Sequence, residues 1–188
     1  MKIYVVDNGG QWTHREWRVL RDLGADVEIV PNTTPFEKIS DADGLVLSGG
    51  TPRIGLDSDR MGKNREYLEK ATCPVMGICA GHQFMAIFFG GKAAPSAIPE
   101  FGKTMVFVDR EDEILAGVSS PFMAWESHND EVTELPPDFI PLAHSDSCAV
   151  QIMRHKERPL FGIQFHPEVE HTEFGEKIFQ NFLDICRR

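Results

Sequence analysis

The segment Gly77-Ile78-Cys79-Ala80-Gly81 constrains this chain most. One thiol lies between two glycines, each two residues away. Ahead of it, Pro74 opens a short apolar run, Val75 to Ile78, that reads as a buried strand. Behind it, residues 83–89 are apolar and aromatic and stop at Gly90-Gly91, as a buried helix does. A strand that turns sharply into a helix packs its flanking backbone closely, so a Cβ at either glycine would collide. Such a turn lifts its apex residue beyond the carboxyl end of the strand. It also sets that residue over a helix N-terminus, whose partial positive charge favours a thiolate. Most cysteines are small buried hydrophobes, so this segment alone makes Cys79 a candidate and no more.

A second segment supplies the missing chemistry. In Leu160-Phe161-Gly162-Ile163-Gln164-Phe165-His166-Pro167-Glu168, residues 161, 163 and 165 alternate as in a strand. Pro167 biases His166 towards extended geometry. Residues two apart in an extended segment point the same way, so His166 and Glu168 lie on one side. A carboxylate there holds one imidazole nitrogen and leaves the other for a nucleophile. Cys79, His166 and Glu168 are thus the parts of an activated-thiol site. The run His166-Pro167-Glu168-Val169-Glu170-His171 fits neither zinc-protease spacing, so no metal is expected. His82 and His128 rank below His166 as the base, since His82 sits in the turn beside Cys79 with no orienting acid nearby.

The remaining pattern is α/β. Residues 2–6, 26–30 and 44–48 read as strands, and each ends in a turn cluster. Residues 13–23 and 61–71 read as helices, the first burying Trp17, Val19, Leu20 and Leu23. Strand and helix in alternation imply an open, mainly parallel sheet with helices on both faces. Ligands bind such sheets at the carboxyl ends of strands. After Gly91 the texture changes to strands near residues 104–108, 122–125, 139–144, 149–153 and 160–165, with antiparallel character. A closing helix over 173–185 takes Thr172 as its N-cap, with Glu173 and Glu176 in its first turn. Residues 51–59 and 94–101 read as mobile loops. One domain over residues 1–188 is expected.

Charge and cysteine usage exclude several classes. With 29 acidic against 19 basic residues the net charge is −10, and there is no basic stripe for nucleic acid. No run reaches the apolar length of a membrane span, and no secretory leader is recognisable, so a cytoplasmic protein is expected. The four cysteines, Cys73, Cys79, Cys148 and Cys186, show neither zinc nor disulfide spacing. Ser48-Gly49-Gly50 is not an ATP-pyrophosphatase loop, because Thr51-Pro52-Arg53 follows.

Gly77-Ile78-Cys79-Ala80-Gly81-His82-Gln83 together with Phe165-His166-Pro167-Glu168 resembles the class I (triad) glutamine amidotransferase family, over nearly the whole chain. That likeness implies a flavodoxin-like fold and glutamine hydrolysis by Cys79, His166 and Glu168. It implies an oxyanion hole from the backbone N–H groups of Gly50 and Ala80. It places Gln83, Ser127 and His128 around the α-amino and α-carboxylate groups of glutamine. Thr51 departs from the family's Gly-Gly-Pro. Asp7-Asn8-Gly9-Gly10-Gln11, Pro31-Asn32-Thr33-Thr34-Pro35 and Trp125-Glu126-Ser127-His128-Asn129-Asp130 resemble the GMP synthetase branch of that family. This branch implies no cofactor in the chain itself, with ATP and Mg on an ATP-pyrophosphatase partner that aminates XMP. Alternatives are an anthranilate or aminodeoxychorismate synthase glutaminase, a free-standing hydrolase, or a silent regulatory subunit.

Overall fold

A computed structural model describes residues 1–188, with residues 55 and 56 described by their backbone alone. Strands β1 (Lys2–Asn8), β2 (Asp26–Pro31), β3 (Gly44–Gly50) and β4 (Val75–Ile78) form the first half of the sheet. Helices α1 (Thr13–Asp22), α2 (Ile54–Asp57) and α3 (Asn64–Lys70) connect them, and α4 (Ala80–Phe88) leaves β4. Strands β5 (Lys92–Val108), β6 (Phe122–Glu134), β7 (Phe139–His144), β8 (Ile152–His155) and β9 (Leu160–Ile163) follow, and α5 (Gly175–Cys186) closes the chain. One nine-stranded sheet results, in the order β2-β1-β3-β4-β9-β8-β7-β5-β6. From β2 to β9 all pairings are parallel, and from β9 to β6 all are antiparallel.

Side chains on a strand alternate between faces, and β1 sorts the core accordingly. Ile3 and Val5 join Leu20 of α1 and Ile178, Phe179 and Phe182 of α5. Tyr4 and Val6 join Tyr67 and Leu68 of α3 and Phe84 and Met85 of α4. Helices therefore cover both faces, as the strand–helix alternation implies. Within α1, Leu20 is fully buried while Trp17, Val19 and Leu23 pack at the edge of the core. The other buried members of this face are Thr13 and Glu16.

Several expectations need correction. The strands expected over 149–153 and 160–165 are Ile152–His155 and Leu160–Ile163, and residues 167 and 168 lie in a turn rather than an extended segment. Residues 94–101 are not a loop; they lie in β5, which pairs with β6 on both sides of an irregularity between Pro95 and Glu100. Thr172 does not cap α5, because that helix starts at Gly175 after Phe174, which has φ 60°. The Thr172 hydroxyl instead donates to the His166 carbonyl at 2.7 Å and accepts the Trp125 N–H at 2.9 Å. Residues 51–59 contain α2, so part of this expected loop is helical; beyond their backbone, residues 55 and 56 in it lie outside the described residues. Among the described residues no helix is long and apolar enough to cross a membrane.

Candidate active site

The turn from β4 into α4 has the expected elbow form. Cys79 takes φ 48° and ψ −104°, a strained geometry for a residue with a side chain. Its flanking glycines are required by space. A Cβ on Gly77 would lie 2.7 Å from the Gly81 carbonyl carbon, and one on Gly81 would lie 2.2 Å from the Leu47 carbonyl oxygen. The Cys79 N–H donates to the Ile163 carbonyl at 2.8 Å, and its own carbonyl accepts the Gln83 N–H at 3.0 Å. These bonds tie the elbow to β9 and to its own helix.

Sheet register brings the base to the nucleophile. Strands β4 and β9 are parallel neighbours with Ile78 opposite Ile163. Residues beyond their carboxyl ends therefore meet, although they are far apart in the chain. Gln164 comes first and points its amide at the Cys79 sulfur at 3.7 Å. His166 comes two residues later. Its N–H donates to the Trp125 carbonyl at 2.9 Å, and its ring stands edge-on to Trp12 with centroids 4.5 Å apart. Its Nδ1 donates to Glu168 Oε1 at 2.7 Å. Burial opposes a charge on His166, but the Glu168 charge, followed by hydrogen bonding to Cys79 and to Glu168, raises its pKa well above the usual imidazole range. The imidazole is thus set to hold a proton between Cys79 and Glu168. Gly49 packs against both partners: a Cβ there would meet His166 Cε1 at 3.2 Å and Cys79 Cβ at 3.7 Å.

Cys79 stands where two clefts meet. One, of about 350 Å³, is lined by Gly50, Ser127, His166 and Glu168, and also by Gly10, Trp12 and Glu16. The other is lined by Gly50, Ala80, Gln83, Ser127, His128 and Asp130. All eight residues singled out from the sequence therefore face one or both clefts around the thiol. Gln83 is held by its amide, which donates to the Asp130 carbonyl at 2.6 Å and to Gln164 Oε1 at 3.1 Å. Arg53 grips the Asp130 carboxylate with two bonds, 2.6 and 3.2 Å, at the rim.

The segment around Ser127 is the middle of β6. Residues 122, 124, 126, 128, 130 and 132 are buried in strict alternation. Three of them are charged or chargeable, so polarity hides a period of two. His128 lies between two acids. Its Nε2 donates to Glu100 at 2.8 Å, with Glu126 at 3.3 Å, and its Nδ1 donates to the Asp130 carbonyl at 3.0 Å. With acceptors at both nitrogens the ring is an imidazolium. Burial works against that charge, yet bonds to Glu100 and Glu126 push the pKa up to about 10. Glu100, Glu126 and His128 converge as closely as metal ligands would, and the His128 proton supplies the positive charge the two acids require. His82 is the opposite case. It is fully buried behind the elbow, and burial pulls its pKa down to about 3. A neutral, enclosed ring there is no rival to His166.

Sequence reasoning missed Glu16, Glu100, Glu126 and Gln164. Gln164 had a usable signal, since it is the residue across from Cys79 once β4 and β9 are paired. The acids had none, because each looks locally like a solvated charge.

Comparison with known proteins agrees with this geometry. The family model described as glutamine amidotransferase class-I matches residues 4–186. A Thermoplasma volcanium protein named as a subunit of GMP synthase [glutamine-hydrolyzing] is 53% identical over the whole chain and 93% of its own length. A protein of the same name from Archaeoglobus fulgidus is 44% identical over the full length of both. The crystal structure of a GMP synthase subunit from Thermoplasma acidophilum superposes with a TM-score of 0.95 at 51% identity, covering 100% of this chain and 94% of that one. A thiol on an elbow, an imidazole oriented by a buried carboxylate, and relatives matched from end to end converge on one assignment: the chain belongs to the class-I glutamine amidotransferase family.

Proposed function

We propose that this chain is the glutamine-hydrolysing subunit of a GMP synthase. The observation that carries the chemistry is His166, fixed at Nδ1 by Glu168 and facing the same cleft as Cys79. In this reading the Cys79 thiolate attacks the carboxamide carbon of glutamine. Backbone N–H groups of Gly50 and Ala80 receive the oxyanion, a contribution typically of about 3 kcal/mol per donor. The His166 imidazolium then protonates the leaving nitrogen, and ammonia departs from the γ-glutamyl thioester. His166, now neutral, takes a proton from water, which attacks the thioester and releases glutamate with Cys79 restored. Gln83, Ser127 and His128 line the side of the cleft where the α-amino and α-carboxylate groups of glutamine would lie.

The relatives' names supply the branch. The partner in this proposal is an ATP-pyrophosphatase subunit that binds ATP and Mg, adenylylates XMP, and lets ammonia displace AMP to give GMP. The test mixes this chain with such a subunit, XMP, ATP-Mg and glutamine. Glutamine-dependent GMP is expected, and Cys79→Ala is expected to abolish it while added ammonia restores it. Glutamate release without GMP would keep the glutaminase and overturn the branch. Full activity in Cys79→Ala would overturn the mechanism.

A further inference from the structure

Glu16 is a buried acid that the reaction as described does not use. Thr13, Glu16 and Leu20 form the buried face of α1, and a spacing of three and four residues keeps them on one side. That face meets the sheet at the carboxyl end of β3. There Glu16 Oε1 accepts the N–H of Gly49 at 3.4 Å, the glycine that packs against His166 and Cys79. Glu16 also lines the same cleft as Glu168.

The two carboxyl groups share a deficiency. Among the described residues, Glu16 Oε2 and Glu168 Oε2 are both buried and neither has a hydrogen-bond partner. A buried polar atom without a partner is costly. Two buried carboxylates close together cannot both ionise without a large penalty, and the usual outcome is one shared proton. The charged groups around Glu16 are Glu168 and His166 beyond β9 and Asp7 at the end of β1. Asp7 is engaged with the Gly9 N–H and the Thr13 hydroxyl. His166 is taken by Glu168 and Cys79. This leaves Glu16 as the member that stays protonated. Burial first, then the Glu168 charge, raises its pKa well above the usual carboxyl range, against the opposing pull of His166 and the Gly49 N–H.

We propose that Glu16 is a positioning residue of the glutaminase site, a neutral acid that accepts the Gly49 N–H with one oxygen and donates its proton to Glu168 with the other. It thereby holds the end of β3 that bears Gly50 and fixes the carboxylate that orients His166. The inference rests on the glutaminase reading of the site.

The test compares wild type, Glu16→Gln and Glu16→Leu in steady-state glutamine hydrolysis with the partner present. The His166 ring titration is followed by NMR in parallel. Glu16→Leu leaves the Gly49 N–H and Glu168 Oε2 without partners, so kcat is expected to fall about tenfold or more, with KM within about threefold. Glu16→Gln supplies an acceptor and a donor of the same shape and is expected to recover most of that loss. Without that donor the full Glu168 charge faces the ring, so the His166 midpoint is expected to move further up in Glu16→Leu and to stay in place in Glu16→Gln. An ionised Glu16 would give the opposite sign, a lower His166 midpoint in both variants, and would overturn the inference. Wild-type kcat in Glu16→Leu would also overturn it. Should Glu16→Leu not fold, the His166 midpoint of Glu16→Gln decides alone. A wild-type chain that hydrolyses no glutamine would refute the glutaminase reading, while the titration would still decide the state of Glu16.

Discussion

Gly81→Ala tests whether the elbow is fixed by backbone contact. The added Cβ would sit 2.2 Å from the Leu47 carbonyl oxygen and 3.0 Å from Leu47 Cβ. Leu47 cannot retreat, because it pairs with Val6 of β1 on one side and Gly77 of β4 on the other. The start of α4 must move instead, by roughly 1 Å to reach ordinary contact. Cys79 immediately precedes that helix, so the sulfur moves with it. Overpacking of this kind costs about 1–3 kcal/mol. For a chain of this size that corresponds to a Tm lower by roughly 2–12 °C. A nucleophile misplaced by about 1 Å costs on the order of a hundredfold in kcat. Glutamate release measures kcat, and circular dichroism melting measures Tm. Gly24→Ala is the control. Gly24 has φ +88° and nothing within 4 Å of its would-be Cβ, so its cost is backbone strain of about 1 kcal/mol, without effect on kcat. A Gly81→Ala enzyme with kcat within about threefold of wild type and an unchanged Tm would refute the argument.

Two other outcomes are expected. His128 has a folded-state pKa of about 10 against an unfolded value near 6.5. The stability it contributes is therefore complete below about pH 6.5 and is lost as the pH rises towards 10. Urea midpoints measured from pH 6 to pH 10 should fall for wild type and fall less for His128→Gln; parallel curves would contradict the imidazolium assignment. Arg53→Met removes the two bonds to Asp130 but no group of the triad. Since Arg53 is half exposed, the effect should be modest, a rise of about threefold to tenfold in KM for glutamine with kcat held. Initial-rate kinetics decide this, and a fall in kcat at constant KM would place Arg53 elsewhere in the mechanism.

The parallel half of the fold was legible because its strands are short and alternate with helices, and because glycines follow or end β1 and β3 and shape the turn after β4. Cys79, His166 and Glu168 were legible because each lies beyond the carboxyl end of a short apolar strand; His166 and Glu168 do meet at 2.7 Å, but through the turn that follows β9 and not along an extended segment. The antiparallel half was harder. In β6 the buried positions include Glu126, His128 and Asp130, and in β5 Glu100 is buried, so apolar periodicity disappears where charges satisfy one another across strands. Pairing partners for these charges come from Ser145 and Gln151 as well, and no local window contains them. For the same reason Glu16 was not singled out. Its neighbours in space are Gly49 and Glu168, which belong to other elements. The Thr172 cap failed because its hydroxyl is occupied by His166 and Trp125, a tertiary use that outweighs the local one.

The place of β9 in the sheet has a consequence for the order of events in the cell. The strand leading to His166 inserts between β4 and β8, so the final strand of the chain fills an interior slot. Residue 79 leaves the ribosome roughly 90 residues before residue 166, an interval on the order of ten seconds at typical synthesis rates. Throughout that interval the nascent chain carries its thiol without its base. Non-local pairing of this kind is slow to form, and until β9 has inserted the imidazole on which the proposed glutaminase chemistry depends is out of place. Turnover becomes a certificate that the sheet has closed.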